Sequence, residues 1–166
     1  MTRIHSPHAA ISSAPAPAWS PASMEPCKAA SGSVPDERVS TLILSFRSTG
    51  GLMTADEVAN VMRSRRNQPL SLLAKRIVER KVVCFAWRST ILIPVFQVDF
   101  EKMEILRSVE DVLAELAVPF DDWTIAEWFS APNCWIQDRA PCRAVIDDPR
   151  GVLQAARADR YIAIGW

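Results

Sequence analysis

The sequence predicts a mainly α protein with one β-hairpin: a small winged-helix-like unit, then a helical domain, behind a disordered N-terminal tail. Three observations carry that prediction. Apolar side chains recur at helical spacing through most of the chain after Pro35. One pair of β-branched and aromatic runs flanks a short polar turn at Arg88-Ser89. Residues 1–35 are rich in Ala, Ser and Pro, with Trp19 the only large aromatic, and lack the apolar surface to offset the entropy of ordering. The expected parts are therefore a tail over 1–35, a helix-turn-helix or winged-type unit over 36–100 and a helical domain over 101–166.

Each element has its own signal. Pro35-Asp36-Glu37 forms a plausible first turn, Val39, Leu42, Ile43 and Phe46 follow at helical spacing, and Gly50-Gly51 stops the helix. Thr54 with Glu57 makes a capping box for a short helix bearing Val58, Val61 and Met62. After Ser64–Pro69 a second helix runs from Leu70, with Leu72, Leu73, Ile77 and Val78 expected inward and Lys75, Arg76 and Arg80 mainly outward. Val82–Trp87 and Thr90–Phe96 read as the two strands, with Pro94 marking an edge strand or a strand end. The rest reads as helices. Ser108 is expected to cap a helix with Val109, Val112, Leu113 and Leu116, and Asp121 or Asp122 the next, carrying Trp123, Ile125, Ala126 and Phe129. Pro132-Asn133 breaks that helix. Asp148-Pro149 starts the last, with Val152, Leu153, Ala156 and Tyr161 inward.

Composition removes several classes of function. No run approaches the roughly 18 apolar residues of a membrane span, so no membrane partner is expected. The four cysteines form no CxxC pair, and both histidines, His5 and His8, lie in the tail; no metal or other cofactor is expected, and the thiols read as reduced, cytoplasmic ones. The chain carries no Gly-rich phosphate loop and no GxSxG. Asp121/Asp122 and Asp147/Asp148 stand where helix capping explains them, so enzyme activity is not expected.

Charge is the informative feature. The chain is neutral overall, yet residues 61–90 hold eight basic side chains against one acidic, net +7, while residues 99–150 hold twelve acidic against five basic, net −7. Sorted charge of this kind presents one surface suited to a polyanion. Within a helix-turn-helix and hairpin, the residues placed to meet DNA are Arg65, Arg66, Gln68, Ser71, Lys75, Arg76 and Arg80 around the second helix and Arg88 at the wing tip.

The acidic half carries a resemblance. Trp128–Ile136, Arg139-Ala140-Pro141 and Asp148–Ala156 look like the toxin-binding domain of Xre/MbcA/ParS-type antitoxins: a tryptophan helix, a Pro-Asn break, a large apolar residue, a Gly-Arg-x-Pro turn and a closing helix. The resemblance spans roughly residues 107–166. Gly51–Ala59 and Pro94–Asp99 resemble the short DNA-binding segment preceding that domain in some members. Two departures stand out. Gln137-Asp138 replace the glycine before the arginine, and a full multi-helix Xre domain does not fit between Pro35 and Phe100. The resemblance implies an antitoxin-like protein that binds and sterically blocks a cognate toxin, of the RES-domain type common in the family, and that binds operator DNA to regulate its own operon. Trp135, Arg139, Tyr161, Ile164 and Trp166 are then the expected toxin-binding residues. The apolar tail 161–166 would enter the toxin's pocket, because Tyr and Trp bury much area with few rotors. Two rivals are an orphan DNA-binding regulator whose C-terminal helices make a homo-oligomer, and a secreted interaction protein using the Ser/Pro/Ala tail.

Overall fold

The computed structural model describes residues 36–63 and 68–165; the expectations for the tail, for Arg65 and Arg66 and for Trp166 lie outside them. The described chain is mainly helical, with small antiparallel sheets. Helix α1 (Asp36–Phe46) buries Val39, Leu42 and Phe46, whereas Ile43 faces out, so its apolar stripe is narrower than expected. A 3₁₀ turn, Arg47–Thr49, ends at Gly50 with φ 100°. A Cβ there would lie 2.7 Å from Val95 Cγ1, so glycine is required by both backbone and space.

Strand β1 (Leu52–Thr54) leads directly into α2 (Ala55–Met62) through the expected capping box. The Glu57 amide donates to Thr54 Oγ1 at 3.2 Å, and the Thr54 amide donates to the Glu57 carboxylate at 2.7 Å. The Thr54 amide, and after it the Thr54 hydroxyl donating to the same carboxylate at 2.9 Å, hold the Glu57 carboxyl below its ordinary range. Helix α2 buries Val58, Ala59 and Met62, while Val61 is exposed. Helix α3 (Pro69–Val78) has Pro at its first position and buries Pro69 and Leu73, with Ile77 half-buried. Leu72 and Val78, expected inward, face solvent: α3 packs along the single i, i+4 line through Leu73 and Ile77.

The hairpin forms from β2 (Phe85–Trp87) and β3 (Thr90–Pro94), with Trp87 opposite Thr90. Arg88 takes the left-handed conformation that the two-residue turn needs, at φ 53°. Strand β1 pairs on the other side of β3, giving the order β1-β3-β2. Pro94 therefore ends a central strand rather than occupying an edge. A second ribbon, β4 (Val98–Asp99) with β5 (Glu104–Ile105), closes through the Asp99 carboxylate, which accepts the amides of Glu101 and Lys102 at 3.0 Å.

Helix α4 (Arg107–Leu116) starts one residue before Ser108, which therefore sits inside the helix instead of capping it; Leu106 precedes it without a side-chain cap. Asp121 caps α5 (Asp122–Ser130) by accepting from Thr124, and Asp148 caps α7 (Pro149–Ile164) by accepting from Gly151. Between them lie a 3₁₀ turn, Cys134–Ile136, and the short α6 (Pro141–Ala144). Tyr161, expected inward on α7, is exposed.

Two apolar cores result. The larger joins α1, α4, α5, α6 and α7, and the smaller joins α2 and α3 with the ribbon. The first helix thus packs with the C-terminal helices, not with α2 and α3. Residues 82–85 form the wall between the cores: Val82 and Cys84 enter the smaller, Val83 and Phe85 the larger. Buried Gln97 pins that wall, accepting from the Val83 amide at 2.8 Å and donating to the Val83 carbonyl at 2.7 Å. Phe96 spans the larger core, with ring centroids 5.8 Å from Phe46 and 5.2 Å from Phe129.

Candidate functional site

The basic residues of the sequence divide by partner. Arg76 on α3 pairs with Glu110 on α4. Arg80, just beyond α3, reaches across to the end of α4: its guanidinium donates to the carbonyl of Ala117, to that of Phe120 at 2.7 Å, and to Asp122 at 2.8 Å. It thereby answers carbonyls left open where α4 ends and bonds the carboxylate that begins α5. These two cations fasten the basic segment onto the acidic one, so part of the charge sorting is cancelled inside the fold. Gln68, Ser71 and Lys75 remain on the exposed side of α3, with Gln68 left-handed at φ 53°. Lys75 is 71% exposed and sits 3.8 Å from Glu79. Arg88 projects from the hairpin turn, stacked 4.3 Å over Trp87 and 3.6 Å from Asp36. That surface is also partly apolar, because Leu70 and Val78 share the solvent side of α3.

Of the second set, Trp135 and Arg139 meet at the turn between α5 and α6. Asn133 and Arg139 close it as a β-bridge, and Gln137 and Asp138 both carry positive φ, 62° and 57°. The backbone that the glycine of the resembled pattern would permit is thus adopted by two non-glycine residues, at a cost in strain. At the base of the turn lies Asp159 of α7, only 1% exposed. Its carboxylate accepts from three side chains: Trp128 Nε1 at 2.7 Å, Asn133 Nδ2 at 2.9 Å and Trp135 Nε1 at 3.0 Å. Three neutral donors make burial of this carboxylate tolerable. Trp135 itself is 55% exposed. Its backbone amide donates to Asn133 Oδ1 at 2.9 Å, so both ends of the residue are tethered while the ring faces outward.

No protein-family model, no curated protein and no solved structure matches this chain.

The remaining expected toxin-binding residues lie on the same half. Arg139 donates to both oxygens of Asp147 at 2.6 and 2.7 Å, which holds the Asp147 carboxyl below its ordinary range. Tyr161 and Ile164 are exposed near the end of α7, with Ile162 between them. Asp159 received no role from the sequence alone, and Asn133 only that of ending the preceding helix. The signal for Asp159 was present: it continues the buried line Val152, Ala155, Ala156 at helical spacing, a carboxylate on an apolar stripe. Among the described residues no group of His, Cys, Asp or Glu is arranged to hold a metal ion. Burial pushes the Cys84 thiol up to about 12, so it is not a nucleophile at neutral pH.

Proposed function

We propose that the chain is an antitoxin-like protein that binds and sterically neutralises a cognate toxin, of the RES-domain type, through its C-terminal half. The observation that carries this reading is Trp135. A large aromatic ring is exposed yet fixed at two points by Asp159 and Asn133, so a partner would bury it without ordering it first. Arg139 stands at the same turn, Tyr161 and Ile164 are exposed near the end of α7, and the likeness to the Xre/MbcA/ParS toxin-binding domain supplies the class of partner. The protein has no enzyme activity in this reading and needs no cofactor.

Pull-down of the tagged protein from its native host tests it. A stoichiometric protein that arrests growth when expressed alone supports the reading; elution of the chain by itself, or with DNA only, sinks it. Trp135→Ala should release the growth arrest with the fold kept, because the ring is not a core residue, and deletion of residues 163–166 should do the same.

Operator binding is the second part of the proposal. Gln68, Ser71 and Lys75 on α3 and Arg88 on the hairpin support it, and Arg76 and Arg80 are assigned to the fold instead. Lys75→Ala with Arg88→Ala should weaken binding to the chain's own upstream DNA and reduce its salt dependence by about two charges. Unchanged affinity would leave α3 as a solvated face.

A further inference from the structure

A cleft of about 530 Å³ opens between the end of α1 and the turn that precedes α6. Its lining includes Arg47 and Arg143, the hydroxyls of Ser45 and Ser48, and the apolar Leu44 and Pro132. Arg143 Nη2 donates to Ser48 Oγ at 2.7 Å, and neither guanidinium pairs with a carboxylate among the described residues. Asp138 stands at the same cleft on its positive-φ turn. Two guanidiniums and one carboxylate leave the cleft net cationic, although residues 99–150, which supply half its wall, are net −7. A cationic recess in an acidic surface selects an anion by contrast with its surroundings.

The geometry points to a recognition site for a glutamate-bearing peptide segment, whose carboxylate meets Arg47 and Arg143 while its methylene stem lies on Leu44 and Pro132. Asp138 argues for a monoanion, since a phosphate dianion would meet greater repulsion there. Arg47 has the open donors, and Arg143 is pre-oriented by Ser48. The volume falls within the range of small-ligand sites and is ample for one side chain and its flanks. This inference stands on the cleft alone and does not need a toxin.

The test uses the full ¹⁵N-labelled chain and three probes: acetyl-Leu-Glu-Leu-amide, its Gln counterpart and inorganic phosphate. The Glu peptide should shift the amides of residues 44–48 and 138–143 saturably, with a millimolar Kd that weakens as salt rises. The Gln peptide, and the Glu peptide on Arg47→Ala, should each bind at least about tenfold more weakly, the loss expected for a charge-assisted bond. The Arg47 side chain makes no hydrogen bond or ion pair among the described residues, so this variant should keep the native spectrum elsewhere. Absence of saturable shifts, equal binding of the Gln peptide, or an unchanged Arg47→Ala variant would each overturn the proposal. Phosphate binding tighter than the Glu peptide would overturn the peptide assignment in favour of a phosphate site.

Discussion

A buried carboxylate held only by neutral donors is an expensive device, and its value lies in what it orients. Asp159 fixes Trp128 in the core and Trp135 at the surface with one side chain. Asp159→Ala would strand three N–H donors, two of them from residues that are themselves buried. We expect a loss of about 3–5 kcal/mol in denaturant unfolding. Asp159→Asn keeps one acceptor and should cost less, about 1–3 kcal/mol, while loosening the Trp135 ring. A loss below about 1 kcal/mol for the alanine variant would mean that the donors find water. Glu115 gives a pH prediction at the same scale. Hydrogen bonds from Arg157 and then Arg160 lower its carboxyl from an ordinary 4.5. A depressed carboxyl stabilises the fold above its unfolded value and loses that contribution as pH falls through its folded value. Glu115→Gln should therefore destabilise the protein at pH 7 and flatten the fall in stability as pH drops below the ordinary carboxyl value of 4.5, read from urea midpoints.

At the level of elements, the joints rather than the helices carry the specificity. Arg80 ties the end of α3 to the carbonyls after α4 and to the first residue of α5. Arg80→Ala should cost about 2–3 kcal/mol, allowing for its partial exposure, whereas Lys75→Ala should stay within about 0.5 kcal/mol. Equal, small effects would place Arg80 back among the solvated cations. What the sequence revealed at this scale follows local chemistry. The capping box at Thr54, the Asp121 and Asp148 caps and the hairpin turn at Arg88-Ser89 are set by neighbours within a few residues, and all form. Strand β1 and the β4–β5 ribbon escaped because two or three residues hold no measurable period. Val61, Val78 and Tyr161 are apolar or amphipathic yet exposed, since which face finds a partner is decided by the tertiary fold. The destinations of Arg76 and Arg80, and the convergence on Asp159, join residues 24 to 42 positions apart; no spacing rule reaches that far.

Over the whole molecule, the mainly helical class was legible and the division of the core was not. The charge switch near residue 100 suggested a boundary there, but α1 packs with α5 in the larger core. A fragment of residues 36–100 would expose Val39, Leu42 and Phe46, and we expect it to show no cooperative thermal transition, whereas 36–166 melts as one unit by near- and far-UV dichroism alike. Separated near- and far-UV curves for the longer chain, or a sharp melt for the fragment, would instead indicate two independent units.

The wall at residues 82–85 imposes a rule of parity. Because Val82 and Cys84 serve one core and Val83 and Phe85 the other, inserting one residue within this stretch would send the side chains before it to the wrong compartment, while inserting two would restore each to its own side. Length variation here is thus permitted only in even steps, and the chain's history of insertions and deletions should carry that signature wherever its kin are found.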